Sequence, residues 1–102
     1  MTRSLRVGDV VRVGRSINRL PADSLAVVVE VYQRDRYPDA RPGVTLLFSD
    51  GFADGFSAED CALWRCAPVG HVANLAGYVF TSIMTLTEDY RRGLFSEVWR
   101  AD

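Results

Sequence analysis

The residues able to do chemistry are few. There is one histidine, His71, and there are two cysteines, in the spacing Cys61-x4-Cys66-x4-His71. A cysteine–histidine pair works as nucleophile and base only when a third group orients the base. Ala67-Pro68-Val69-Gly70 separates Cys66 from His71. No G-x-S-x-G elbow, G-x-x-x-x-G-K-[ST] loop or G-x-G-x-x-G fingerprint occurs. The chain contains no lysine, which excludes Schiff-base chemistry and a P-loop lysine. The expectation is a protein that is not an enzyme. His71 is then a surface histidine, or one near a helix N-terminus.

Metal chemistry fares little better. Cys61, Cys66 and His71 would give zinc three ligands, whereas structural sites use four at characteristic spacings. Asp50 and Asp54-Gly55 look superficially like part of a calcium loop. A loop starting at Asp50 places Phe52 at its third position and Cys61 at its twelfth, where an acidic side chain is required. No metal and no cofactor is expected, and the cysteines are read as small, buried, reduced thiols.

The richest segment is Leu46-Leu47-Phe48-Ser49-Asp50-Gly51-Phe52-Ala53-Asp54-Gly55-Phe56-Ser57-Ala58-Glu59-Asp60. It holds three phenylalanines, four acids and no base. On a strand, Phe52, Asp54 and Phe56 share a face unless Gly55 introduces a bulge. Burying that face would place Asp54 among phenylalanines, which is costly for an unpaired carboxylate. Either an arginine such as Arg65 pairs with it, or part of the face is open. The open version is an apolar patch with an acidic rim, suited to a protein presenting arginine or lysine around a hydrophobic anchor. Phe52, Asp54, Phe56, Glu59 and Trp64 are the candidate protein-binding residues.

The competing site is basic. Arg15, Arg19, Arg34, Arg36 and Arg41 fall in two long loops, with Tyr37 among them. Arginines could reach phosphates there while tyrosine stacks on bases. Against a nucleic-acid domain stand a pI near 5.8 and five acids in the same half. Such domains are usually clearly basic.

These residues need strands to hold them. Val7 to Gly14 reads as a first strand, with Val11 and Val13 on one face. Leu25 to Tyr32 reads as a second, with Leu25, Val27, Val29 and Val31 as the core face. Val44 to Phe48 is a third. Ser49-Asp50-Gly51 is a hairpin turn in which glycine supplies the positive φ. Phe52 to Phe56 returns, and Ser57-Ala58-Glu59-Asp60 matches a capping box, with Ser57 as N-cap and Asp60 at N3. Leu63 to Ala67 is a fifth short strand, stopped by Pro68 and Gly70. From Val72 the period becomes helical, with Val72, Leu75, Val79, Ile83, Leu86 and Tyr90 as the docking stripe. Gly77 shifts the start of the regular helix towards Tyr78, and Gly93 ends it.

The expected architecture is α+β. Residues 7–67 form a five-stranded antiparallel barrel or curled sheet, residues 72–92 the C-terminal helix, and residues 94–102 a tail or final turn. The opening Val7-Gly8-Asp9-Val10-Val11-Arg12-Val13 and the meander with a one-turn helix before its last strand resemble SH3-like small barrels. That resemblance implies a binding function, since such barrels hold peptides, proteins or nucleic acids. The run from Phe48 to Asp60 resembles segments of short uncharacterised bacterial and phage-borne accessory proteins.

Composition sets the remaining bounds. A chain of 102 residues is one domain by length. Net charge is −1. Residues 1–41 carry eight arginines against five acids, and residues 42–102 four against eight, a weakly dipolar arrangement. The start of the chain has no apolar signal-like stretch, and no run approaches the roughly 18 apolar residues of a membrane span. A cytoplasmic protein without membrane contact is expected. The reading is a non-enzymatic protein-binding module, an accessory or regulatory factor, with a phage or mobile-element inhibitor of a host complex as one version. A nucleic-acid-binding domain using the arginine loops is the alternative.

Overall fold

In a computed structural model that describes residues 5–17, 19–32 and 43–95, the valine-rich run forms the middle of a five-stranded antiparallel sheet. The strands are β1 (Asp9–Val13), β2 (Ser24–Tyr32), β3 (Gly43–Phe48), β4 (Ala53–Ser57) and β5 (Cys66–His71). A short helix α1 (Ala58–Leu63) joins β4 to β5, and α2 (Ile83–Arg91) follows a 3-10 turn at Ala73–Leu75. Strand order is β4-β3-β2-β1-β5. The outer strands do not pair with each other, so the sheet stays open.

Both faces of β2 are covered, which explains its nearly continuous apolar sequence. Val27 and Val29 join Val10, Leu47, Leu75, Leu86 and Phe95 in one cluster. Ala26 and Val28 join Val11, Val13, Val44, Leu46, Phe48 and Phe56 in the other. The expected single core face is therefore half of the arrangement. Its phase also breaks. Val28 pairs with Leu46 and Glu30 with Thr45, so Val29 is an extra residue. One extra residue reverses the side-chain alternation. Val31 accordingly packs on the cluster opposite Val27.

Two expected elements are displaced. The fifth strand begins at Cys66 and runs through Pro68 and Gly70, while Leu63 ends α1. Proline is tolerated because β5 is an edge strand. Val10 pairs with Gly70 and Val11 with Pro68, leaving Val69 as a bulge. The helix expected over 72–92 is shorter, because Tyr78 and Phe80 alternate onto the sheet cluster and leave Val79 outside. Ser82 then caps α2 by accepting the Thr85 N–H at 3.3 Å. The expected stripe holds in part: Leu75 and Leu86 are buried and Val72 and Tyr90 pack on the same cluster, but Val79 is 81% and Ile83 60% exposed. Helix α2 ends as anticipated. Gly93 has φ 83°, and the N–H groups of Gly93 and Leu94 donate to the carbonyls of Tyr90 and Asp89, a Schellman closure. The expected last turn around Val98 and Trp99 lies outside the described residues.

The hairpin and cap follow the sequence closely. Gly51 has φ 90°, and the Phe52 N–H donates to Asp50 Oδ1 at 2.9 Å. The Ser57 hydroxyl accepts the Asp60 N–H, and the Asp60 carboxylate accepts the Ser57 N–H.

Candidate functional site

Strand β4 and helix α1 build one groove of about 330 Å³. Phe52, Asp54, Phe56 and Trp64, four of the five residues expected in a protein-binding site, line it together. Ile17, Gly55 and Asp60 complete the lining. Phe56 is buried and its ring centroid is 6.4 Å from that of Phe48, which lies 5.7 Å from that of Phe52. The floor is thus anchored in the core. Trp64 is the C-cap of α1, placed there by the capped single turn that begins at Ser57.

Asp54 resolves the question posed by its neighbours. It is exposed, and its Oδ1 accepts the Gly55 N–H at 2.8 Å. No ion pair joins it to Arg65 among the described residues. The open version of the strand face is the one present. Asp60 contributes a second carboxylate to the lining while Ser57 holds it in the capping box. Glu59 stands exposed on α1 and does not line the groove. Arg15 and Arg19, the described members of the basic set, are exposed on either side of Ile17 in sequence, and neither lines the groove. Arg34, Arg36, Arg41 and Tyr37 lie outside the described residues.

No family model, curated protein or solved structure matches this chain. The groove must therefore be read from its own chemistry.

A pairing missed in the sequence lies at the other end of the sheet. Asp9 is fully buried, and its Oδ1 is 2.7 Å from His71 Nδ1. Its Oδ2 accepts the Arg6 N–H at 2.9 Å, and the exposed Arg6 guanidinium is 3.8 Å away. His71 is exposed, as expected of a surface histidine, and stands just before Val72, the N-cap of the 3-10 turn, but its ring is tied to a buried carboxylate. It ends β5, and Asp9 is its register partner on β1. One signal was available: Asp9 is in phase with Val11 and Val13, so a carboxylate points to the core face and needs a partner. No hydroxyl or thiol is hydrogen-bonded to His71 among the described residues. The pair ties β5 to the start of β1.

The cysteines are half-buried, not buried as expected. The influence of Cys66 lowers the Cys61 pKa, against the opposing effects of burial and the Asp60 charge. The influence of Cys61 pushes the Cys66 thiol up, aided by burial. Among the described residues, no three His, Cys, Asp or Glu side chains converge as metal ligands. No described helix is long and apolar enough to cross a membrane.

Proposed function

We propose that the protein is a binding module whose groove takes a basic segment of a partner protein, with an aliphatic or aromatic side chain seated on Phe52, Phe56 and Trp64. The observation that carries this reading is the composition of the lining. It combines aromatic surface with two carboxylates and no cation among the described residues. Aromatic anchors in a pocket supply most of the affinity of typical interfaces, and complementary charge at the rim supplies selectivity. A volume of about 330 Å³ suits one large side chain and its neighbours, not a folded surface.

The strand order and the position of α1 between β4 and β5 support an SH3-like reading of the sheet. In that reading the module works by binding rather than catalysis, as an accessory or regulatory factor. An inhibitor carried by a phage or mobile element is one such role.

The test is selection of a phage-displayed random peptide library on the intact protein. Enriched peptides should place arginine or lysine within a few positions of leucine, phenylalanine or tryptophan. Enrichment of acidic peptides, or capture of nucleic acid in place of peptide, would replace this reading with the basic-loop alternative.

A further inference from the structure

Strand β4 ends the sheet, with β3 on one side and an open edge on the other. The Phe48 N–H donates to the Phe52 carbonyl at 2.8 Å, and the register continues with Leu46 opposite Asp54 and Val44 opposite Phe56. Antiparallel pairs alternate, so Asp54 and Phe56 turn their main-chain groups to β3, while Gly55 and Ser57 turn theirs to the open edge. Both of those outward N–H groups are already spent. Gly55 donates to Asp54 Oδ1 at 2.8 Å, and Ser57 donates to Asp60 Oδ2 at 3.2 Å. A strand added to this edge would need those donors. The opposite edge, β5, is interrupted by Pro68 and by the bulge at Val69. Both edges are thus closed to strand addition, and a partner in the groove must be held by its side chains.

The same two hydrogen bonds fix what the groove offers. Each engages one oxygen of a lining carboxylate. The other oxygens, Asp54 Oδ2 and Asp60 Oδ1, have no partner among the described residues. Asp60 lies in α1, and Trp64 caps its end four residues later, donating its N–H to the Asp60 carbonyl at 2.9 Å. At that spacing the two side chains lie on one helix face, and both line the groove. A flat indole therefore stands beside a carboxylate that is already held in place.

We propose that the groove selects arginine over lysine in its partner, with the guanidinium bonding Asp54 and Asp60 while its flat face lies on Trp64. This selection rests on the groove being the site proposed above, and it leaves Phe52 and Phe56 for the apolar anchor. A guanidinium is planar, weakly hydrated and carries its donors as a fork, which suits a carboxylate beside an aromatic face. A lysine ammonium is a compact, strongly hydrated point charge that meets the same acids without that fit. Carboxylates oriented in advance lose less freedom when the ligand arrives.

The experiment measures binding of synthetic peptide pools to the full chain. The pools differ only in a central arginine, lysine or citrulline, set between random positions that include leucine, phenylalanine and tryptophan. The arginine pool should bind at least about tenfold tighter than the lysine pool, and citrulline should lose most of the binding. In Trp64→Leu, and in Asp60→Asn, whose amide oxygen can still cap Ser57, the preference for arginine should shrink to a few-fold. Each variant is first shown to be folded. The tightest arginine sequence is then remade in two forms, N-methylated at alternate main-chain nitrogens in either phase, and both should bind alike. Equal binding of the arginine and lysine pools overturns the selection and leaves the basic-segment reading standing. A preference unchanged in Trp64→Leu overturns the stacking. A loss confined to one methylated form is the signature of strand pairing and overturns the closed edge. If neither charged pool binds above the citrulline pool, the groove reading itself falls.

Discussion

His71 Nδ1 lies 2.7 Å from Oδ1 of Asp9, a carboxylate with no exposed surface on the strand next to it. The contact joins residues 62 apart in sequence and ties the edge strand β5, which has little else to bury, to β1. Removing a hydrogen bond to a charged group costs about 1.5–3 kcal/mol. His71→Phe keeps a ring of similar size and loses the bond, so it should lower the unfolding free energy by that amount, read as a lower urea midpoint at unchanged slope. An unchanged midpoint would mean that Asp9 is satisfied without the imidazole.

Gly51 carries two constraints. Its φ is 90°, and a Cβ there would meet the Tyr90 ring at 3.1 Å. The Tyr90 hydroxyl donates to the Ser49 carbonyl of the same turn, so hairpin and α2 are fixed together. Gly51→Val should cost about 1–3 kcal/mol from backbone strain, with further loss as Tyr90 is displaced. An unchanged melting temperature would contradict the turn.

The phase of α2 gives a direct comparison. Leu86 is 1% exposed and Ile83 60%. Leu86→Ala should destabilise by about 2–5 kcal/mol, whereas Ile83→Ala should stay within about 0.5 kcal/mol. Equal losses in thermal unfolding would restore the stripe that helical spacing suggests.

Much of the hairpin was legible because its chemistry is local. Gly51, the Asp50 side chain and the Ser57–Asp60 cap each act over a few residues, and the structure places them as the spacing requires. The groove was legible in part for the same reason: Phe52, Asp54 and Phe56 share a strand face whatever packs nearby. What sequence could not carry was non-local. The extra residue at Val29 is defined only by its pairing with β3, and Asp9 finds its partner across the sheet. The C-terminal segment misled for another reason. Tyr78 and Phe80 follow period two against the sheet, while their letters also fit a helical stripe.

Burial pushes the Tyr78 pKa up, and its hydroxyl donates to Asp89 Oδ2 at 2.7 Å, which raises it further. The unfolded chain therefore loses this proton first, near pH ~10. Between that pH and the higher folded pKa the native state holds more protons, so stability falls as pH rises. The contribution is fully present below pH ~10. Tyr78→Phe should be less stable at neutral pH by about 1 kcal/mol, and its loss of stability above pH ~10 should be shallower than that of wild type. Parallel alkaline profiles in urea titrations would contradict the linkage.

The most direct test of the groove is calorimetric titration of a library-selected basic peptide into wild type, Asp54→Arg, and the loop reversals Arg34→Glu and Arg36→Glu, each first shown to be folded. Asp54 is exposed and its side chain bonds only the adjacent Gly55 N–H among the described residues, so its reversal changes charge at the rim without removing a core contact. Asp54→Arg should weaken binding at least about tenfold, equivalent to about 1.4 kcal/mol, while the loop reversals leave affinity within a few-fold. Loop reversals that abolish binding while Asp54→Arg leaves it intact would show that the acid-rimmed groove is not the binding site.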